Sequence, residues 1–208
     1  HLPLITDADG EGLSKRLGSA SAEAFQAQGL EPLAIISYLT ALGTPDAPKV
    51  ATSMLELAEG YDLDKYGRAT PKASIDEVLM LNTKVIHALP FEQIADKLPG
   101  WSAELWEALK SNVEQYDQAA GILAMVQGDI EPVIEDADFI AEAAKLLPEV
   151  LDDGAWKAWT DAVKEATGRK GKQLFMPLRL AVTGQPRGPE MAALLPLIDR
   201  DLVLKRLS

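Results

Sequence analysis

At 208 residues, with 47% apolar and 25% charged side chains, the chain is long enough for one large or two small domains with a buried core. It has no Cys, which excludes disulfides and thiolate metal sites, and only two His, His1 and His87, which argues against a zinc centre or a His-based triad. The net charge of -12 argues globally against a nucleic-acid binder, no stretch approaches the roughly 20 apolar residues that span a bilayer, and the missing Cys fits a cytoplasmic location.

The first candidate element is "LPLI" before "DADG", one arm of a hairpin, because Asp-Gly favours tight turns. Residues 9–19, "DGEGLSKRLGS", follow with Ser14, Lys15 and Arg16 between glycines. The spacing is not that of a P-loop, which needs Gly, four residues, then Gly-Lys-Ser/Thr. A calcium loop fails too: with Gly10 at loop position 6, positions 1 and 12 hold Ile5 and Arg16 instead of acids. What remains is a swinging loop with a mobile cation suited to a phosphate. Taken alone, such a basic trio is more often a solvated turn.

The rest of the chain reads as helices with short breaks. "GLEPLAIISYLTALG" puts Pro32 at a helix start, Gly43 at its end, and Leu33, Ile36, Leu39 and Leu42 on one stripe. "ASIDEVLMLNTKVIHALP" offers a capping box, Ser74 with Glu77, and an apolar face of Val78, Leu81, Val85 and Leu89. Pro90, Pro99 and Gly100 cluster at the expected divide, giving domains 1–95 and 96–208. Beyond it, Ser102 caps a helix with a Leu105, Leu109, Val113 stripe, and "AWKAWTDAVKEATG" sets Trp156, Trp159 and Val163 on one face before Gly168. "MPLRLAVTG" and "GPEMAALLPLI" are each expected to open a helix on their Pro, and "DRDLVLKRL" to close the chain as a capped helix. The pattern predicts an all-α fold in two parts, with a short hairpin near the start as its sole strand signal.

Charge is segregated along the chain. Residues 129–153 hold nine acids against Lys145, and residues 164–187 hold six bases against Glu165. A phosphate backbone meets a face and not a sum, so the basic block can serve RNA on an acidic protein. With Pro177 read as a helix start, Arg179 falls in the first turn, where a cation opposes the helix dipole. Such placement makes sense if an anion or a base edge lies nearby, since Arg grips planar acceptors with two hydrogen bonds; the plain alternative is a surface Arg. The four Trp could stack on unpaired bases. At helical spacing they are more often core anchors.

Three stretches carry a resemblance. "HLPLITDADGEGLSKRLGS" with "GLEPLAIISYLTALGT", then "YDLDKYGRATPKASIDEVLMLN", then "TGRKGKQLFMPLRLAVTGQPRGPEMAALLPLIDRDLVLKRL" resemble bacterial glutamyl-tRNA synthetases from their KMSKS-type loop to their C-terminus. The likeness covers both ends and weakens through residues 95–150. The family ligates glutamate to tRNA with ATP, carrying Mg as the counter-ion of the nucleotide. It implies a catalytic domain upstream with the HIGH signature, which these residues do not contain, so the chain is expected to be the C-terminal part and not to aminoacylate alone. The implied architecture is a stem-contact helical region followed by an anticodon-binding α-helical cage.

Residue by residue, the resemblance implies that Lys15 stabilises charge on the ATP phosphates as a catalytic residue. Ser14 and Arg16 share that ATP site, and Gly12 stands where the family has its first Lys. Arg179 matches a position that reads an anticodon base, and Gly188 and Met191 match further anticodon contacts. Arg169, Lys170, Lys172 and Arg187 are expected on tRNA phosphates. No metal is expected on protein ligands of this chain. The implied partner is tRNA for glutamate, with the glutamine tRNA left open; DNA, membrane and self-association are not expected. The rival from composition alone is an acidic helical adaptor for a protein partner.

Overall fold

The structure, a computed structural model, describes residues 3–7, 9–12 and 22–208, with side chains for all but 22–24 of these. The described residues form helices and turns in two compact units, one spanning His1–Lys97 with Val113–Asp117, the other Leu98–Asn112 with Gln118–Ser208. Among them, no strand forms and no helix is long and apolar enough to cross a membrane. The expected hairpin is reduced to one antiparallel bridge between Thr6 and Gly12, closed by Asp7, whose Oδ1 accepts from the N–H groups of Asp9 and Glu11.

The first unit contains α1 (Ala22–Ala27), α2 (Pro32–Ala41), α3 (Met54–Glu59), α4 (Ile75–Ala88) and α5 (Phe91–Ile94). Pro32 does open α2. The stripe read for α2 is displaced, however: Leu39 is 50% exposed, and the buried face is Leu33, Ala34, Ser37 and Tyr38. Two adjacent residues per turn broaden the face toward α4, and the polar Ser37 and Tyr38 are admitted because each has a partner. The Ser37 hydroxyl donates to the Lys49 carbonyl, and Tyr38 lies between Glu77 and Ser74.

Ser74 caps α4 as expected. Its capping box is relayed: the Tyr38 hydroxyl accepts from Ser74 N–H at 2.9 Å and donates to Glu77 Oε2 at 2.9 Å. All four expected core residues of α4 are buried. His87 is half-buried and donates from Nε2 to the Val113 carbonyl at 2.8 Å. A buried Glu31 accepts from Lys97 Nζ at 2.6 Å and from Tyr116 Oη at 2.9 Å. Burial, then the Glu31 charge, pushes the Tyr116 phenol well above its ordinary range, so it stays a donor.

The second unit contains α6 (Ala103–Leu109), α7 (Ala119–Gln127), α8 (Ala137–Lys145), α9 (Ala155–Thr167), α10 (Lys172–Thr183), α11 (Met191–Leu194) and α12 (Arg200–Arg206). Ser102 caps α6, Asp199 caps α12 and Gly168 ends α9, each at its expected place. Trp101, Trp106 and Trp159 are core residues, at 8%, 0% and 0% exposure, which removes them from any stacking role. Gly184 ends α10 at φ +68, and a Cβ there would stand 2.6 Å from the Glu131 carbonyl oxygen, so only Gly lets the 130–134 segment pass this close.

Two proline readings are corrected. Pro177 does not open a helix; α10 starts five residues earlier, after Gly171, and carries Pro177 inside it. The missing N–H leaves the Gln173 carbonyl without its helical donor, and Gln173 is exposed, so water can serve it. Arg179 is therefore eighth of 12 residues, and the dipole argument for it does not hold. Pro189 likewise precedes its helix, with Glu190 as N-cap of α11.

Candidate functional site

The exposed side of α10 and the loop after it gather most of the expected contact residues of the second unit. Leu174, Leu178, Ala181 and Val182 are buried on one side of α10, and Leu180 and Thr183 in its last turn are buried as well. Lys172, Phe175, Met176 and Arg179, at spacings of three, four and seven, share the other side and are exposed or half-exposed.

Arg179 is held from the loop side. Its Nη1 donates to the Pro189 carbonyl at 2.9 Å. Nε and Nη2 are buried and have no hydrogen-bond partner. Unpaired buried donors on a cation are costly, about 1–3 kcal/mol each or more. The same burial pulls the guanidinium below its usual pKa. Gly188 covers Nη2 with backbone alone: a Cβ at 188 would stand 3.0 Å from it, and the φ of +140 also favours Gly. The Met125 methyl and sulfur lie 3.6 and 3.7 Å from that same Cβ position. Met191, by contrast, is buried at 6% exposure and anchors α11. The pairing of Gly188 and Met125 with Arg179 was not readable locally, because Met125 sits 54 positions before Arg179 on a different helix.

The cations differ in how free they are. Lys170, Lys172 and Arg187 are exposed and have no ion pair among the described residues. Arg169 is engaged: its Nη2 pairs with Asp136 Oδ2, and its guanidinium carbon lies 4.1 Å from the centre of the Phe139 ring. Asp136 also caps α8 through Phe139 N–H at 3.1 Å. The Arg169 hydrogen bond, then that cap, holds the Asp136 carboxyl below the usual carboxylate range. A depressed pKa means that the pair stabilises the fold above the ordinary carboxylate pKa and is lost as pH falls through the depressed value. A cleft of about 570 Å³ opens beside the pair, lined by Glu135, Asp136, Arg169, Lys172, Gln173, Met176 and Pro177.

Ser14, Lys15 and Arg16 lie outside the described residues. Gly12 is exposed, and a Cβ on it would meet no described atom within 4 Å, so the described part of the fold does not demand Gly there. Among the described residues no group of three His, Asp or Glu could hold a metal ion.

A family model described as "Anticodon binding domain" matches residues 103–208. Among curated proteins, the chain is 48% identical over 210 residues to "Glutamate--tRNA ligase 1" of Rhodospirillum rubrum, covering 100% of this chain and 47% of that protein. It is 46% identical over 214 residues to the protein of the same name in Maricaulis maris, covering 100% and 48%. The chain thus spans about half the length of the curated relatives it matches. Among solved structures, a glutamate tRNA ligase from Elizabethkingia meningosepticum, in complex with its amino acid, superposes with a TM-score of 0.76 at 20% identity. That match covers 100% of this chain and 50% of the solved one.

Proposed function

The chain belongs to the anticodon-binding domain family, and on that premise we propose that it is the tRNA-recognition part of a glutamate–tRNA ligase. The observation that carries the reading is Arg179. A cation with two buried, unpaired donors sits under a glycine loop, on a helix flanked by the exposed cations Lys170, Lys172 and Arg187. Once the glycine loop that covers them moves aside, such donors suit the edge of an unstacked anticodon base, with Lys170, Lys172 and Arg187 on the flanking phosphates. Arg169 joins them only with the part of its charge that Asp136 leaves free. Gly188 contributes by its missing side chain, and Met191 by seating the helix that follows the loop.

In the whole enzyme, glutamate would be joined to tRNA using ATP. There Lys15, with Ser14 and Arg16, would meet the nucleotide phosphates and stabilise the charge that develops on them. The described part supplies no ligand set for Mg, which would travel on the phosphates. Residues 1–95 would contact the tRNA stem and residues 96–208 the anticodon. The relatives are named as tRNA ligases, which leaves the acidic-adaptor reading without support.

The test is binding of a glutamate-type tRNA to the full chain over a salt series. Affinity should fall linearly on a log–log plot, with a slope of about -0.7 to -0.9 per phosphate contact. A salt-independent interaction, or none at low salt, sinks the proposal. A finer expectation concerns Arg169. Asp136→Asn keeps the helix cap and removes the counter-charge, so tRNA affinity should rise a few-fold and the slope steepen by about 0.7–0.9. Unchanged affinity would mean that Arg169 stays on the protein.

A further inference from the structure

The exposed face of α10 carries a large aromatic side chain. Phe175 is 45% exposed, one turn before Arg179 on the same side of the helix. It is not loose. The half-exposed Trp156 ring lies 6.2 Å from it at 41°, and Trp156 is braced edge-on by Trp159 at 5.8 Å and 74°. Trp159 is fully buried and donates from Nε1 to the Ala143 carbonyl at 2.8 Å. The outermost ring therefore rests on a second ring that rests on the core.

We propose that Phe175, backed by Trp156, is a stacking platform for an unpaired RNA base next to the one met by Arg179. The inference rests on the tRNA-recognition reading above and adds a separate contact to it. Charge fixes the occupant's class. Lys172 lies on the same helix face, Lys170 lies in the loop just before α10, and both are exposed without an ion pair among the described residues. An apolar protein segment would find these cations uncompensated; a nucleotide brings a π-face for the ring and a phosphate for the lysine. Spacing agrees. Phe175 and Arg179 are four residues apart, about 6 Å along the helix axis, which is between one and two base steps of about 3.4 Å. Rigidity favours the role, because a ring already braced loses little freedom on binding.

The role is sequence-tolerant, since every base has a π-face. It gives affinity and register, while Arg179 gives discrimination. The sequence signal existed as four Trp at helical spacing, but it pointed at the wrong ring: three Trp are core, and the exposed ring is a Phe on the next helix.

The test uses the full chain and a synthetic RNA hairpin carrying an anticodon loop, with 2-aminopurine placed at each loop position in turn. At saturating protein, one position should be quenched by stacking. The quench should persist in Phe175→Trp and vanish in both Phe175→Ala and Phe175→Leu, the latter keeping the apolar bulk. Phe175→Ala should cost about 10-fold in affinity with an unchanged salt slope. Lys172→Ala should do the reverse, lowering the slope by about 0.7 and keeping the quench. Equal quenching and affinity in the unchanged chain and Phe175→Ala would overturn the platform and leave tRNA recognition standing. No binding of the hairpin by the unchanged chain would overturn both.

Discussion

Replacing Arg179 with Ala is expected to weaken binding of a glutamate-type tRNA by about 10- to 100-fold, the range for losing one good two-bond contact to a base edge. The loss should be specific. A tRNA with a substituted anticodon, already bound without that contact, should lose little. The salt slope should change by less than one, because the guanidinium is asked to read a base and not to neutralise a phosphate. Arg179→Lys should fail to rescue, since an ammonium cannot present the planar fork. Gly188→Ala should reproduce much of the defect with every charge in place. Its new methyl would meet Nη2 at 3.0 Å in a backbone region that disfavours side chains, so the guanidinium must shift or stay covered. Binding measured for cognate and substituted tRNA, with all three variants, decides the matter. Equal affinity of Arg179→Ala and the unchanged chain for both tRNAs removes Arg179 from recognition.

What the sequence could announce was local. Ser74, Ser102, Asp199 and Gly168 mark helix ends by chemistry that acts within three or four residues, and each stands where that chemistry predicts. Misreadings arose where tertiary packing chose between local options. Pro177 is a good first helical residue in isolation, but a glycine at positive φ six places earlier already breaks the chain, and an exposed carbonyl tolerates the lost bond. Leu39 fits an ideal stripe, yet α2 presents Ser37 and Tyr38 to the core because partners distant in sequence satisfy them. The site was half legible. Arg179 stood out through a basic block and a family likeness, though the dipole argument attached to it was wrong. Its cover by Gly188, and the braced ring of Phe175, depend on crossings of elements that no local pattern encodes.

Arg206 shows the same limit most sharply, and its loss should have the largest effect on stability. In sequence it is an ordinary cation in the last turn of a terminal helix. In the fold it is 2% exposed and donates to four carbonyls: Met125 at 2.7 Å, Gly128 at 2.7 Å, Val182 at 2.9 Å and Ala124 at 3.3 Å. These are the last carbonyls of α7, its cap residue Gly128, and one carbonyl near the end of α10. Burial lowers the guanidinium's pKa, partly offset by Asp129, and it remains charged. One side chain thus closes two helix ends that have too few donors of their own. Truncating a buried charge that is tied this way costs about 3–5 kcal/mol. Arg206→Ala should accordingly lower the urea midpoint of the second unit by about 2 M. Arg206→Lys should recover only part of this, because one ammonium cannot fork between two helices. The defect should also reach the binding face. Met125, whose carbonyl Arg206 holds, lies beside Gly188, and Val182 follows Arg179 on α10 by less than a turn. At a temperature where Arg206→Ala is still folded, its tRNA affinity should therefore fall, with the anticodon preference weakened more than the salt slope. A midpoint within about 0.3 M of the unchanged chain, the scatter of such extrapolations, would show that water serves those carbonyls as well as Arg206 does.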